Sequence, residues 1–266
     1  MLFRITNACN EMCPHCLVAA IPDGAHMSDD VFKDACAFFQ RTNVKLIAVS
    51  GGEPTLHPKF IDVMLDLTRF KYVEPTTWRP RIVLLTNGTW VNDPVKTDFI
   101  KELISKGIAV QVSTQKEFYK NYPMIMANKE YFVQMGCDVQ TDPIRQLVRL
   151  GRCQLKDFPN FPVTPNPCAN SILIARQTSA CNWLSAMELQ GQFCKPSINI
   201  DGTISVGETP CCMPLGTITD SIEDIHARAR KLSPQTCNRC HGWHGLAKKH
   251  AKAVEYFAGK KFPNEK

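Results

Sequence analysis

The first half of the chain alternates short apolar runs with amphipathic stretches, and no other feature restricts its fold as much. The apolar runs are expected to be β-strands, and they cover residues 2–6, 44–50, 81–86, 108–113 and 137–140. The amphipathic stretches between them are expected to be helices. Because repeated strand–helix units build parallel sheets, the pattern predicts an α/β fold whose parallel sheet curls into an incomplete barrel.

The helices are located by their start and stop signals. Ser28 is a good N-cap residue, and the first helix is expected to begin after it. Further helices are expected over residues 58–70 and 93–106. A short helix is expected over residues 117–122, where Pro123 would stop it.

The second half of the chain has a different character. Residues 197–206 alternate apolar and polar side chains around Asp201-Gly202, which predicts a β-hairpin with a type I′ turn. A helix is expected over residues 221–232, and a strand over residues 171–176.

A proline-rich connector at residues 158–167 places the domain boundary. Residues 1–165 are expected to form the barrel. Residues 166–266 are expected to complete it and to add a small cysteine-rich extension made of the hairpin and helices.

Composition limits the classes of protein that the chain can represent. Its 266 residues, 44% hydrophobic and 21% charged, suit one large globular domain with an appendage. No apolar run approaches the roughly 18 residues that span a bilayer, so no membrane partner is expected. With no secretory signal at the start, 13 cysteines are better explained by iron–sulfur ligation in a reducing, cytoplasmic compartment than by disulfides.

Two short motifs lie close to the expected strand ends. Cys9, Cys13 and Cys16 have the spacing C-x3-C-x2-C, and residues 51–54 read Gly-Gly-Glu-Pro after the second strand. Three thiolates can hold three irons of a four-iron cluster and leave the fourth iron open. A glycine-rich turn exposes backbone groups to a polar ligand. Zinc sites use similar cysteine spacings, so a zinc site is the alternative.

Taken in this order and context, the two motifs resemble the radical S-adenosylmethionine (SAM) superfamily. The resemblance implies a partial (β/α)6-type barrel with a [4Fe-4S] cluster whose open iron binds SAM. It implies that Cys9, Cys13 and Cys16 are the cluster ligands. The residues that it places near SAM are His15, Gly51, Gly52, Glu53, Pro54, Thr86, Asn87, Ser113 and Arg152.

Several of these residues also have an ordinary explanation. His15 would lie beside the adenine, or else it packs against loop neighbours. Glu53 would meet the SAM amine together with the two glycines, or else it caps a helix. Arg152 follows Gly151 and would pair with a carboxylate, or else it lies on the surface.

A second set of cysteines follows the first half of the chain. Cys194 precedes the hairpin, a Cys211-Cys212 pair follows it, and Cys237 and Cys240 form a CxxC. Four cysteines can hold a zinc ion or a fully ligated cluster. Joined to the first motif, the set resembles the SPASM and twitch extensions of radical SAM enzymes. Their register favours Cys212 over Cys211 and implies one auxiliary cluster, of the [4Fe-4S] type.

The resemblance implies reductive cleavage of SAM to a 5′-deoxyadenosyl radical, which abstracts a hydrogen atom from a peptide side chain or a small polar metabolite. The auxiliary cluster would assist substrate oxidation, and flavodoxin or ferredoxin would supply electrons. An epimerase, mutase or dehydrogenase acting on a sugar or nucleoside is the alternative, for which Cys168 and Cys181 are candidate hydrogen donors. A non-catalytic metal-binding module for nucleic acid, based on the basic residues 248–261, is a third hypothesis.

Overall fold

The computed structural model describes residues 1–42, 44–72, 81–142, 152, 175–176, 178–189, 196–206 and 214–232. Five parallel strands form the core, and each lies within two residues of its predicted position. They are β1 (Leu2–Thr6), β2 (Leu46–Gly51), β3 (Arg81–Thr86), β4 (Ala109–Ser113) and β5 (Asp138–Gln140). The predicted α/β fold with a parallel sheet is therefore confirmed.

Helices follow the strands, as the strand–helix pattern predicts. They are α1 (Asp29–Thr42), α2 (Phe60–Tyr72), α3 (Pro94–Ser105), α4 (Tyr122–Ala127), α5 (Lys129–Gln134), α6 (Ala180–Leu189) and α7 (Ile222–Lys231). Serine side chains cap two of these helices, and the cap at Ser28 was predicted. Ser28 accepts a hydrogen bond from the Val31 N–H at 3.4 Å, and Ser221 accepts one from the Asp224 N–H at 3.1 Å.

Buried and half-buried side chains alternate along β4. In β4, Val110 and Val112 are buried, whereas Gln111 and Ser113 are half-buried. Successive side chains of a strand point to opposite faces of the sheet, so one face packs into the core and the other carries the partly exposed residues. Phe3, in β1, contacts Phe39 of α1 edge to face, with ring centroids 5.1 Å apart.

The prediction of a helix over residues 117–122 is wrong. Most of this segment forms turns, and Pro123 lies in the first turn of α4 rather than after the end of a helix. The first amides of a helix have no acceptor within the helix, so proline costs little there and its fixed φ suits the helical backbone.

The hairpin is present, but its turn differs from the predicted one. Strands β6 (Ser197–Ile198) and β7 (Thr203–Ser205) pair antiparallel. Gly202 has a φ of +79°, whereas the described non-glycine residues with positive φ are only Met12 and Ala19. Asp201 therefore lacks the positive φ that a type I′ turn requires. Its carboxylate instead accepts hydrogen bonds from the N–H and hydroxyl of Thr203.

The hairpin belongs to the same sheet as the barrel strands. Strand β6 pairs parallel with β1, and β7 pairs antiparallel with β8 (Pro214–Thr217). The strand order is β5-β4-β3-β2-β1-β6-β7-β8. The second half of the chain thus extends the sheet beyond β1, at the edge opposite β5.

Some expectations fall partly or wholly outside the described residues. Ala175 and Arg176, the described end of the predicted strand over residues 171–176, have helical backbone, so the strand prediction is wrong there. The proline-rich connector and the proposed domain boundary lie outside the described ranges. Within these ranges, no helix is long and apolar enough to cross a membrane.

Candidate active site

The three cysteines of the first motif lie on the loop that leaves the carboxyl end of β1. Backbone hydrogen bonds fold this loop back on itself. The Cys9 N–H donates to Ile21 O at 2.9 Å, and the Asn7 N–H donates to Ala25 O at 2.8 Å. The carboxyl ends of parallel strands are where α/β folds place their ligand sites, and the loop is anchored there.

Cys9, Cys13 and Cys16 line one cavity of about 230 Å³. The other lining residues come from the ends of β2, β3 and β4 and from nearby loops; they are Glu11, Ala20, Ser50, Gly51, Gly52, Leu85, Thr86, Asn87, Ser113 and Tyr119. The cavity therefore brings together both sequence motifs and most of the predicted SAM-contacting positions.

The donor set fits an iron–sulfur cluster. In the described part of the chain, no three His, Cys, Asp or Glu side chains converge on a single metal-ion position. A four-iron cluster does not require such convergence, because each thiolate binds its own iron. Cys9, Cys13 and Cys16 would hold three irons of the cluster, and the remainder of the cavity would face the fourth.

Burial makes thiolates costly in this loop. It raises the pKa of Cys9, and it raises the pKa of Cys13 to about 12, where the nearby charges of Cys9 and Glu11 act in the same direction. The thiolates therefore need compensating positive charge, which bound iron supplies.

The Gly51-Gly52 turn joins β2 to the cysteine loop at very short range. A Cβ atom added to Gly51 would lie 2.1 Å from Thr6 O, and one added to Gly52 would lie 2.1 Å from Ala8 O. The Gly52 and Glu53 N–H groups donate to these two carbonyls, each at 2.7 Å. The two glycines are thus needed for this backbone contact as well as for exposing backbone to a ligand.

The Glu53 carboxylate is fully buried and engaged by the protein. Its Oε1 accepts hydrogen bonds from the Thr55 N–H at 3.1 Å, the Thr55 hydroxyl at 2.7 Å and the Thr86 hydroxyl at 2.8 Å. Its Oε2 accepts one from the Asn87 N–H at 2.7 Å.

These bonds give Glu53 a structural role. It caps the short 3-10 helix Pro54–Leu56, in which Pro54 occupies the first turn, and it fixes the end of β3. Burial raises the pKa of Glu53, while the bonds from Asn87, Thr55 and Thr86 act in the opposite direction. Contact between Glu53 and the SAM amine stays a prediction.

Thr86, Asn87 and Ser113 lie on the cavity wall. The Asn87 side chain connects two loops: its Nδ2 donates to Asn10 Oδ1 at 2.8 Å, and its Oδ1 accepts from the Thr89 N–H at 3.0 Å. Asn10 lies in the cysteine loop, so Asn87 ties that loop to the end of β3. Contact of these residues with the SAM ribose or carboxylate stays a prediction.

Arg152 contacts the cysteine loop directly. Its N–H donates to Cys16 O at 2.9 Å, its Nη1 donates to Cys13 O at 3.0 Å, and its Nη2 donates to Ala20 O. The guanidinium thus binds backbone carbonyls on both sides of Cys16. This contact differs from the two uses considered for Arg152 in the sequence, a partner for a carboxylate and a surface residue.

Replacing Arg152 with alanine is expected to loosen this loop. Hydrogen bonds from a charged donor contribute about 1.5–3 kcal/mol each, so the loop should open at least about tenfold more often. Amide hydrogen exchange over residues 9–21 measures this opening. The exposed Arg69, which pairs with Asp66, provides the control: Arg69→Ala should leave exchange in this loop unchanged. Equal exchange in the two variants would refute the role of Arg152.

His15 packs between two aromatic rings near the cavity. Its ring centroid lies 4.5 Å from that of Phe118 and 5.5 Å from that of Tyr119. Burial lowers the pKa of His15 to about 4, so the ring is neutral at physiological pH. The packing against loop neighbours that the sequence left open is present, and contact with adenine stays a prediction.

Other predicted residues lie away from the cavity or outside the described part of the chain. Cys181 is exposed and has its Sγ 3.2 Å from Ser179 Oγ; it does not line the cavity. The predicted auxiliary-cluster ligands and the remaining candidate hydrogen donor lie outside the described residues; they are Cys194, Cys211, Cys212, Cys237, Cys240 and Cys168.

Sequence reasoning missed several cavity residues. Glu11 and Tyr119 both line the cavity, and burial raises the pKa of Tyr119 well above its usual range. Glu11 stands between two predicted cluster ligands, which is the one sequence signal that could have drawn attention to it. No comparable signal marked Tyr119, which lies in the segment wrongly predicted to be helical.

Comparisons with known proteins agree with this geometry. Residues 3–133 match the Radical SAM superfamily. A GTP 3',8-cyclase from Actinobacillus succinogenes is 24% identical over 162 residues, which are 58% of this chain and 44% of that protein. The match thus spans less than half the length of this relative.

Two solved structures share the fold. Native anSMEcpe with bound AdoMet superposes with a TM-score of 0.52 and 16% identity, covering 93% of this chain and 88% of that chain. Native anSMEcpe with AdoMet and the Cp18Cys peptide gives the same TM-score and identity, covering 93% and 87%. Residues 3–133 therefore form a radical SAM domain.

Proposed function

We propose that this chain reductively cleaves SAM to a 5′-deoxyadenosyl radical, which abstracts a hydrogen atom from a peptide side chain or a small polar metabolite. One observation carries the proposal: Cys9, Cys13 and Cys16 share a cavity with the Gly51-Gly52 turn at the carboxyl ends of the parallel strands. The cluster and SAM would supply the electron transfer and the radical.

The residues of the chain would bind and orient these cofactors. The three cysteines would hold the irons, and the Gly51-Gly52 turn keeps the backbone of β2 close to the cysteine loop. Ser113 would offer its hydroxyl group to the polar end of SAM, and Leu85 would help to exclude water from one wall of the cavity.

Two substrate classes follow from the comparisons. The similar fold of anSMEcpe, whose structure includes the Cp18Cys peptide, supports a peptide substrate. The relative that is a GTP 3',8-cyclase supports a small-molecule substrate such as a nucleoside or sugar. In either case flavodoxin or ferredoxin would deliver the electron.

An auxiliary [4Fe-4S] cluster bound by Cys194, Cys212, Cys237 and Cys240 is the second part of the proposal. Four cysteines around a hairpin supply enough thiolates for a fully ligated cluster, which would accept an electron from the substrate. The support is sequence spacing together with the observed β6–β7 hairpin, which stands between the first two of these cysteines.

Anaerobic reconstitution with iron and sulfide tests both parts. The full chain should bind about eight irons, and with dithionite and SAM it should release 5′-deoxyadenosine. About four irons with SAM cleavage would refute the auxiliary cluster alone. About two zinc ions per chain and no cleavage would refute the enzyme and favour a nucleic-acid module.

A further inference from the structure

One aromatic side chain on the cavity wall has no part in the function proposed so far. Tyr119 lies in the turns between β4 and α4, and it lines the cavity together with Cys9, Cys13 and Cys16. Among the described residues that line this cavity, Tyr119 is the only aromatic one. A large, mainly apolar ring thus shares the wall with the thiols that would hold the cluster.

The neighbours of Tyr119 in the chain show that it lies between the cavity and solvent. Lys116, Glu117 and Lys120 are exposed, whereas Phe118 is buried, at 4% exposure. Tyr119 itself is half-buried, although it lines the cavity. Part of this residue therefore contacts solvent, and part of it belongs to the cavity wall.

Hydrogen bonds hold this turn in place at both ends. At its start, the Thr114 N–H donates to Gln140 O, at the end of β5, at 3.0 Å. At its end, the Asn121 N–H donates to Glu11 Oε2 at 3.2 Å. Because Glu11 lies in the cysteine loop, the second bond holds the turn against that loop. The position of Tyr119 is thus fixed by contacts on both sides of it.

The ring of Tyr119 also packs against the cysteine loop itself. Its centroid lies 5.5 Å from that of His15, and the His15 centroid lies 4.5 Å from that of Phe118. Burial makes the largest contribution to the raised pKa of Tyr119, and the charges of the three cysteine thiols add to it. The phenol therefore lies near all three predicted cluster ligands.

Water near an iron–sulfur cluster changes the reduction potential of the cluster. Reduction adds one negative charge, and water stabilises an added charge better than an apolar wall does. The apolar surroundings of a metal site therefore influence its potential by controlling the access of solvent. An aromatic ring between solvent and the three thiols is placed to exert this control.

We propose that the Tyr119 ring covers the cluster site and excludes water from it, which keeps the reduction potential of the cluster low. The proposal rests on the proposed function, because it assigns a further residue to the same cluster. Tyr119 is a positioning residue in this proposal: it acts through the surroundings of the cluster and not by contact with the substrate.

Tyr119→Ala is the direct test, because it removes the ring and opens the wall. The reconstituted variants are titrated anaerobically with redox mediators, and their iron content is measured in parallel. The cluster followed is the one whose electron paramagnetic resonance signal changes when SAM is added. At a fixed applied potential, the ratio of reduced to oxidised cluster should increase at least about tenfold, which for one electron is a shift of about 59 mV to higher potential.

Two variants serve as controls. Tyr119→Phe keeps the ring and loses only the hydroxyl, so it should keep the wild-type potential. Tyr131→Ala removes the same side chain elsewhere: Tyr131 lies in α5, is 38% exposed and does not line the cavity. It should also keep the wild-type potential.

Tyr119→Leu replaces the alanine variant in the test should the latter fail to load its cluster. Leucine keeps part of the apolar volume, so the shift should have the same direction and be smaller. An unchanged potential in the variant that loads, or a shift in Tyr119→Phe as large as that in Tyr119→Ala, would overturn the assignment of Tyr119. Wild-type protein that takes up no iron, or whose signal does not respond to SAM, would overturn the proposed function instead.

Discussion

Replacing Glu53 with alanine is expected to destabilise the folded chain by about 3–5 kcal/mol. The substitution leaves four donors in a fully buried position without their acceptor. The hydroxyls of Thr55 and Thr86 can rotate to other acceptors, but the backbone N–H groups of Thr55 and Asn87 cannot. Each buried donor left unsatisfied costs about 1–3 kcal/mol, and loss of the side chain adds a cavity.

Urea denaturation followed by circular dichroism, on protein handled without oxygen, measures the change in the free energy of unfolding. Glu102→Ala is the matched control. Glu102 lies in α3 and forms an exposed ion pair with Lys106, the residue that caps the end of this helix. Exposed pairs contribute little, so this control should lose no more than about 0.5 kcal/mol.

Glu53→Gln should fall between the wild type and the alanine variant. An amide oxygen at the Oε1 position can accept the bonds from Thr55 and Thr86, but the amide nitrogen would face the Asn87 N–H, donor against donor. If Glu53→Ala cost no more than Glu102→Ala, the structural role of Glu53 would be refuted.

The strands could be predicted because their signal is local. Apolar residues recur at strand spacing, and flanking polar residues or turns mark the ends. β3 (Arg81–Thr86) was predicted to the residue, since Pro80 precedes it and Asn87-Gly88 follows it. The parallel order follows from the strand–helix repeat rather than from any single contact.

Proline shows where a local signal has two meanings. Pro123 ends a helix in one interpretation and begins one in the other, and both agree with its missing N–H. The apolar residues after it, such as Ile125, favour the second interpretation, because Ile125 is fully buried in α4. The tertiary packing of Ile125 decides between the two.

The contacts that shape the cavity could not be predicted, because they join distant parts of the chain. Glu53 accepts hydrogen bonds from Thr86 and Asn87, more than thirty residues away, because the ends of β2 and β3 lie side by side. Glu11 meets Asn121, and Arg152 meets Cys13, each across more than a hundred residues. Sequence spacing indicates which side chains suit the chemistry, but only the assembled sheet determines which of them face each other.

The position of the hairpin in the sheet could not be predicted either. Alternation around Asp201-Gly202 predicted two antiparallel strands, and β6 and β7 are present. Nothing in that pattern indicates that β6 would pair with β1, at the edge of the parallel sheet opposite β5. Edge pairing depends on which strand has unpaired backbone groups after the barrel forms.

Replacing Cys13 with alanine is expected to remove about four irons from the reconstituted chain and to abolish release of 5′-deoxyadenosine. Cys13 is buried, at 8% exposure, and lies in the centre of the C-x3-C-x2-C spacing. With only Cys9 and Cys16 left, one iron of the cluster loses its protein ligand. Iron is counted by a colorimetric assay, and the nucleoside is measured by chromatography.

Cys36→Ala is the matched control, because Cys36 is also buried, at 7% exposure. Cys36 lies in α1 and packs in the hydrophobic core, and it does not line the cavity. Burial raises the pKa of both thiols to about 12, so the two cysteines differ in location rather than in burial or acidity. The control should lose some stability from the vacated volume and keep its iron and its SAM cleavage. If Cys13→Ala retained both, or if Cys36→Ala lost both, the cavity at the end of β1 would not be the cluster site.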